Sequence, residues 1–596
     1  MFLRRIRKKA RGEAYEYWAL CEAYRTAKGP RQRVVATLGK LDREEADAGW
    51  EDIEALLEGR EPRKKPVQLQ LEEQAPAPST PSRERWELAD LGSLRVERSR
   101  DFGEVYLALA LWKRLGLGKL LEELMPRGRE TVRWADMAAV LACARFCGQE
   151  SELKIAESWY EGTALEDILA IDAASVNDDR LYRALDVLGR RKDELCDHLM
   201  ERYQDWFGVD FEFLLYDVTS TYFEGQAMAN GKAARGYSRD KRSDCKQVCI
   251  GLVCAPDGLP LSYEVFAGNR TDVTTVQEIV SKMEERFGKA KRIWVMDRGM
   301  VSGANLEFLR SRGARYLVGA PNSELRHFKS ELSEKDGWSE VQSGLEARLV
   351  GHPQRGGEET YVLCRSVARS EKERAMLDKQ VDSLTAELLK VQSSLHRRAS
   401  KELEKLQRRI GRWLGRYPAA AKVLRAELMY AKDGSAVGLS IYSDLKAGQK
   451  AALSQGAYLL RTNCDERDPA KLWRWYIQLT QAEAAFRTSK SDLGMRPIFH
   501  QKTDRVEAHI LVCFIALAMW RSLEMWMSSK GLGTCARKLI EQLGKVRSMD
   551  VVVPIRRGES DATLRIRTVE KPDEATRNLL NHLGLRLPNR NQMTEM

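Results

Sequence analysis

Three carboxylates stand where an ionised side chain is expensive to keep. Asp217 follows the apolar run FEFLLY (211 to 216), Asp297 ends RIWVMD (292 to 297), and Glu483 lies in a helix that starts after Asp468-Pro469. A strand buried on both faces reads as a continuous hydrophobic run, so a charge at its end must be solvated, paired or coordinated. If the two strands are neighbours, both aspartates converge at one edge, where hard oxygen ligands suit Mg²⁺ or Mn²⁺. Two such aspartates alone could equally cap strand ends at the surface. Glu483 adds weight. Leu472, Tyr476, Leu479 and Phe486 share helical spacing, and Glu483 is four residues after Leu479 and three before Phe486. That places it on the apolar stripe, which is costly unless the carboxylate is paired or coordinated. Two strand aspartates and a helix glutamate are what two-metal phosphoryl transfer requires. Lys490 shares the face with Tyr476, and Arg487 lies one turn on, so both are placed to hold a phosphate.

The elements that would position these residues can be read from the pattern. FEFLLYDV (211 to 218), QVCIGLVCA (247 to 255) and LPLSYEVFAG (259 to 268) read as three strands, the last two joined by the hairpin signal PDG. A helix at 272 to 287, the strand RIWVMD, a helix at 303 to 312 and the strand RYLVGA (315 to 320) follow. The order is βββαβαβ, an α/β layer. Between 321 and 467 the pattern breaks, and the sheet is not expected to resume. That region holds strand candidates and a long helix from about Ser370, in which Leu377, Val381, Leu384, Leu388, Val391 and Leu395 form a coiled-coil seam. Its basic continuation, HRRASKELEKLQRRIGRWLGR, makes a helical hairpin packed on the core, a dimerisation arm or a DNA clamp. Helices at 469 to 490 and 503 to 528 close the layer.

The flanking regions are plainer. Residues 1 to 58 read as a small β-rich module and 59 to 100 as a linker, Pro-rich and charged up to about residue 85. Residues 101 to 207 are mainly helical, and 531 to 596 form a C-terminal region.

Composition bounds the function. The 596 residues amount to about four domains' worth of chain. The net charge of +11 leans towards a polyanionic partner. Eleven cysteines without CxxC pairing read as reduced thiols of a cytoplasmic protein rather than a zinc site. The start, MFLRRIRKKARGEAY, lacks the apolar core of a signal peptide. The longest apolar run, Ile510 to Trp520, is shorter than the roughly 20 residues that span a bilayer. No membrane partner is expected.

LLYDVTSTYFEG, LSYEVFAGNRTDVTT, IWVMDRGM and YIQLTQAEAAFRTSKSDLGMRPIFHQKTDRVEAHILVCFIAL together resemble the DDE insertion-sequence transposases of the IS-four superfamily, in its long-chain branch. The resemblance covers residues 211 to 525 well. It implies an RNase H-like core at 208 to 320, interrupted by a largely β insertion domain at 321 to 467 and closed by helices at 468 to 530 that carry Glu483. It also implies that the helical module at 101 to 207 binds DNA ends. The activity it implies is Mg²⁺-dependent (or Mn²⁺-dependent) DNA cleavage and strand transfer, with Asp217, Asp297 and Glu483 holding two ions. The expected partners are the inverted-repeat ends of an element and target DNA, engaged by a homodimer, with cut-and-paste chemistry through hairpin ends. In the family the glutamate belongs to a Tyr-x2-Arg-x3-Glu-x6-Lys signature. Tyr476, Glu483 and Lys490 match it in register, but Leu479 stands at the Arg position. Arg487 or Arg474 is expected to supply that charge, and Arg298 is a further DNA-contact candidate.

Lesser candidates carry bland readings beside the functional ones. Asn269 orients the site or shapes a turn, and Thr219 and Ser220 bond a metal-bound water or satisfy local backbone. His500 and His509 are packing residues before they are ligands. Trp338, Trp473 and Trp475 either stack on an unpaired base or belong to the core. RRIRKK (4 to 9), the loop from Lys232 to Lys246 and the 397 to 416 segment either track phosphates or are solvated faces. Two other functions stay open: a metal-dependent nuclease without strand transfer, and an inactive, transposase-derived DNA-binding protein.

Overall fold

Runs of Val, Ile, Leu and aromatic residues bounded by Gly and Asp give strands at the places the pattern predicts. In chain order the central segment is β1 (Phe213–Tyr222), β2 (Gln247–Cys254), β3 (Pro260–Ala267), α1 (Val276–Phe287), β4 (Ile293–Met296), α2 (Gly303–Ser311) and β5 (Arg315–Gly319). This is the predicted βββαβαβ order. The computed structural model describes residues 2–10, 13–26, 29–39, 88–288, 292–353, 359–557, 560–588 and 592–595. They fall into two compact units, one of residues 211–218 and 270–482 and one of residues 1–210, 219–269 and 483–596.

In the first unit the early part of β1, β4 and β5 lie side by side in parallel, linked by the crossover helices α1 and α2. Parallel neighbours need such crossovers, and their strands are buried on both faces. All four residues of β4 are buried. The sheet then does what the pattern did not foretell. β9 (Ala457–Thr462) pairs antiparallel with β5, followed outward by β8 (Thr360–Ser366), β7 (Leu345–Val350) and β6 (Ser339–Gln342). Four strands of the 321 to 467 region thus extend the existing sheet and make it a mixed one, while Leu424–Tyr430 and Ala436–Ser443 pair separately. More of the region is helix than strand, so it is not the largely β insertion expected. In β7 the charged Glu346 and Arg348 interrupt the apolar residues, while β8 keeps a run of four buried residues, Tyr361 to Cys364.

The heptad seam is used within the chain. Leu384, Leu388, Val391 and Leu395 of α3 (Val367–Arg397) are buried against Leu406 and Ile410 of α4 (Leu403–Arg416) and against the hairpin Leu424–Tyr430 and Ala436–Ser443. Each such side chain contributes about 1.5–3 kcal/mol when buried. This is the hairpin reading of the segment, and the seam residues are not left for a partner helix.

The second unit is mainly helical. It also contains the end of β1 and the antiparallel β2–β3 hairpin. Its central helix, Thr503–Ser529, packs on the helices Gly103–Arg114, Trp134–Cys147 and Asp178–Leu188 and on β3. Among the described residues it alone is long and apolar enough to cross a membrane, and 89% of its most apolar window is buried inside the protein. The apolar run ends at Trp520 in the sequence, but the helix continues through the buried Arg521, which donates to the Gly258 carbonyl and pairs with Glu524. Phe2–Ala10, Glu13–Thr26 and Gly29–Gly39 form a three-stranded antiparallel sheet. Most of the expected linker lies outside the described residues. Its end, Arg95–Asp101, is instead a strand on Arg547–Arg557. The charged string RVERSRD hides it, because Arg100 is buried in an ion-pair network with Asp167 and Asp550.

Candidate active site

The parallel register of β1 and β4 sets Tyr216 opposite Met296. Asp217 and Asp297 are the next residues on the two strands, so both carboxylates leave the sheet at the same level. β4 stops there, and Asp297 precedes a single 3₁₀ turn, Arg298–Met300. β1 does not stop at Asp217, contrary to the sequence reading, but runs on to Tyr222. Val218, Thr219, Ser220 and Thr221 suit a strand, and two of the hydroxyls have backbone partners from other segments. The Thr221 hydroxyl donates to the Met495 carbonyl at 3.1 Å, and Ser220 Oγ accepts the Arg239 N–H at 3.3 Å. Asp217 is half-buried, and its Oδ1 accepts the Val218 N–H at 2.8 Å. Asp297 is exposed.

Tyr476, in α5 (Pro469–Ile477), reaches Asp297. Its hydroxyl donates to Oδ1 at 3.4 Å. Burial first, and then the Asp297 charge, push the phenol above its usual range, so it stays a neutral donor. Gly319 at the end of β5 makes room for it. A Cβ there would lie 2.7 Å from the Tyr476 hydroxyl and 3.2 Å from the Arg298 backbone nitrogen. Asp297, Arg298, Arg369, Tyr458, Trp473 and Tyr476 line a cavity of about 500 Å³. Trp473 is buried and donates to the Tyr458 hydroxyl at 2.6 Å. Trp475 packs on Phe213, and Trp338 lies under the Arg365 guanidinium at 4.1 Å. The three tryptophans are therefore engaged in packing, the bland alternative.

Glu483 belongs to α6 (Leu479–Ser491), and here the structure corrects the sequence reading. The chain breaks between α5 and α6 at Gln478, so the spacing of Leu472 and Tyr476 does not carry over. The buried face of α6 is Leu479, Ala482, Ala485, Phe486 and Ser489, and Glu483 is exposed. An exposed carboxylate is solvated, so the expense argument for a buried one does not apply to it. Arg487, Arg474 and Arg298 are exposed too. Leu479 is only 6% exposed, which accounts physically for an apolar residue at the signature's Arg position. In the division into units, Asp217, Asp297, Arg298, Arg474 and Tyr476 fall in the first and Glu483, Arg487 and Lys490 in the second.

Lys490 is not free to take a phosphate as expected. Its Nζ lies 3.0 Å from Asp240 Oδ1, with the two side chains 11% and 4% exposed, and Arg496 pairs with the same oxygen. Burial lowers the Lys490 pKa, and Asp240 offsets part of that. Asp240 and Arg496 carry no spacing signal. Asp240 sits in the charged string SRDKRSD after β1, where nothing marks one carboxylate as buried. The surrounding loop is ordered by Gln247, whose side-chain amide donates to the Tyr237 and Gly268 carbonyls. Gly268 is required there, because a Cβ would fall 1.9 Å from the Gln247 carbonyl oxygen.

His500 and His509 meet Glu152 in the second unit, all three buried, with ligating atoms within 4.8 Å of one another. Arg145 lies 3.9 Å from Glu152 and donates to the Gly494 carbonyl, so the carboxylate is shared in a buried polar network. Burial alone would raise the Glu152 carboxyl, but the His500 hydrogen bond and neighbouring positive charge hold it at about 2. Burial, with Arg145 and His500 nearby, lowers His509 to about 3.

The sign of the resulting pH effect follows from the depressed values. An unfolded imidazole takes a proton near pH 6.5 that folded His509 refuses. The His509 contribution is thus complete above about pH 6.5 and lost as pH falls towards 3, with a slope of up to about 1.4 kcal/mol per pH unit. That of Glu152 is complete above about 4.5 and lost towards 2. Melting temperatures between pH 7.5 and 5 should fall for the native sequence and fall less steeply for His509→Gln. Equal slopes would refute the assignment.

Comparison with known proteins bears on the same residues. The family model for the transposase DDE domain matches residues 210–519, and that for the N-terminal domain of IS1634 family transposases matches residues 3–72. None of the curated proteins matches the chain. Among solved structures, the cryo-EM synaptic complex of piggyBac transposase with hairpin DNA is similar at 10% identity and a TM-score of 0.34. The similarity spans 77% of this chain and 82% of that one.

Proposed function

The chain belongs to the DDE transposases, and from that premise we propose that it binds the inverted-repeat ends of its own insertion sequence, cuts them and joins the freed 3′-hydroxyls to target DNA. The observation that carries this reading is the β1–β4 register, which brings Asp217 and Asp297 to one level of the sheet. The βββαβαβ order and the parallel pairing of β1, β4 and β5 support an RNase H-like reading of the core.

Two carboxylates leaving neighbouring strands are a hard-oxygen donor set that fits Mg²⁺ or Mn²⁺. Asp217, Asp297 and Glu483 are proposed to hold two such ions, with the Glu483 assignment resting on its register with Tyr476 and Lys490. When bound, such ions supply Lewis acidity to the attacking hydroxyl and the leaving oxygen. The chain's own groups do the rest. Tyr476 holds the Asp297 carboxylate in one orientation through its hydroxyl. Arg298, Arg474 and Arg487 are exposed, and Arg487 or Arg474 takes the place of the absent signature arginine on phosphate oxygens. Lys490 and Arg496 are both held by Asp240. Joining two ends to one target requires two active sites, so a homodimer on paired ends is part of the proposal, as is a hairpin on the cut end. The test is product identity: joined DNA from pre-cut ends and a plasmid, against fragments alone from a hydrolytic nuclease.

A further inference from the structure

We propose that the outward face of α4 is a binding surface for the phosphate backbone of duplex DNA, without sequence preference. The inference rests on the chain being a DNA enzyme, but not on the strand-transfer chemistry. Residues 397 to 416 contain eight Lys and Arg against two Glu, a net of six out of the chain's +11. The charge is sorted by the helix. Leu406 and Ile410 are buried against α3 and the 424–443 hairpin, with Leu403, Trp413 and Leu414 packed beside them. Lys405, Arg408, Arg409, Arg412 and Arg416 are all exposed on the other side. Arg409 and Arg412 have no ion-pair partner among the described residues. The Arg408 and Lys405 pairs with Glu404 and Glu402 are fully at the surface, where such pairs hold weakly.

Two glycines sharpen the assignment. Gly411 sits inside α4, where glycine is the poorest residue short of proline, and Gly415 is in its last turn. A Cβ at either would meet open space, so no packing within the chain requires them. They lie among Arg408, Arg412 and Arg416 and lower the helix surface between these side chains, letting a phosphodiester backbone approach the helix. A membrane is the wrong occupant. An interfacial helix buries its apolar face in lipid, and here that face is already buried on α3 and the hairpin. Contacts from these arginines to phosphate oxygens position a backbone and carry no sequence information.

The test uses the full chain and a duplex of scrambled sequence, with binding followed by fluorescence anisotropy over a range of NaCl concentrations. The triple variant Arg408→Gln, Arg409→Gln, Arg412→Gln removes three exposed charges and should keep the native melting temperature. Each phosphate contact contributes about 0.9 to the slope of log K against log [salt], so the slope should become shallower by about 2.7. At 0.1 M salt the affinity should fall at least tenfold. A second variant, Gly411→Ala with Gly415→Ala, should melt higher yet bind the duplex more weakly. An unchanged salt slope in the triple variant would overturn the proposal. So would vesicles of anionic lipid that bind the native protein as tightly as DNA and lose that binding in the variant. If the slope drops while the native protein joins no DNA, the surface stands and the strand-transfer reading falls.

Discussion

Asp217→Asn and Asp297→Asn should each lower end cleavage and joining by about 10³-fold or more, equivalent to about 4 kcal/mol of transition-state stabilisation. Asparagine keeps the shape of each side chain and removes its charge. At position 217 the amide oxygen can still accept the Val218 N–H that Oδ1 accepts now, so β1 keeps its local geometry. At position 297 the carboxylate is exposed and accepts the Tyr476 hydroxyl, which an amide oxygen also accepts. Folding is therefore preserved, and the loss is confined to chemistry. Both variants should bind end DNA with native affinity and melt at the native temperature. Activity surviving in Asp297→Asn would remove the residue from the site.

Asp240→Ala should be the most destabilising single change near the site. It leaves Lys490 buried without its counter-ion, and breaking a buried pair from one side costs about 3–5 kcal/mol. Arg496 is 35% exposed on its side chain and can turn to water, but Lys490 cannot do so as readily. The sign of the pH effect is fixed. Burial already lowers the Lys490 pKa, and loss of Asp240 lowers it further, so the cost should shrink as pH rises and the amine loses its proton. Lys490→Met in the same chain should restore part of the loss, because a buried apolar side chain of similar volume needs no partner. A urea titration of the single and double variants measures this. Asp240→Ala unfolding within about 1 kcal/mol of the native protein, the error of such a comparison, would show that the pair is not a support.

What the residues disclosed, and what they did not, follows from the range of the interactions. The short apolar strands β4 and β5 and the hairpin β2–β3 are written locally, in run length and turn chemistry, and so were the aspartates beside them. The antiparallel addition of β9 to β5 is not local. It joins segments separated by the whole 321–456 stretch, and neither strand's pattern names its neighbour. Glu483 was placed on a buried stripe because the spacing was read through Gln478, where α5 ends. A break of one residue rotates every later position, and the true stripe is Leu479, Ala482, Phe486 and Ser489. The heptad seam of α3 was visible, but its partner was not, since a helix, a hairpin or a second chain would all cover the same leucines. The Lys490 pairing was beyond reach for a similar reason. Asp240 looks like any other charge in SRDKRSD until the fold buries it. Leu479 was legible as a departure, and its burial supplies the cause.

The central claim is that this chain joins DNA ends rather than merely cutting them. Purified protein, a labelled duplex ending in a pre-cut 3′-hydroxyl and carrying an inverted-repeat sequence taken from the DNA around its reading frame, and a supercoiled plasmid are incubated with Mg²⁺, with Asp217→Asn in parallel. The prediction is label covalently attached to relaxed or linear plasmid with the native chain, and none with the variant. Label found only in shorter fragments, or joined equally by the variant, would contradict it.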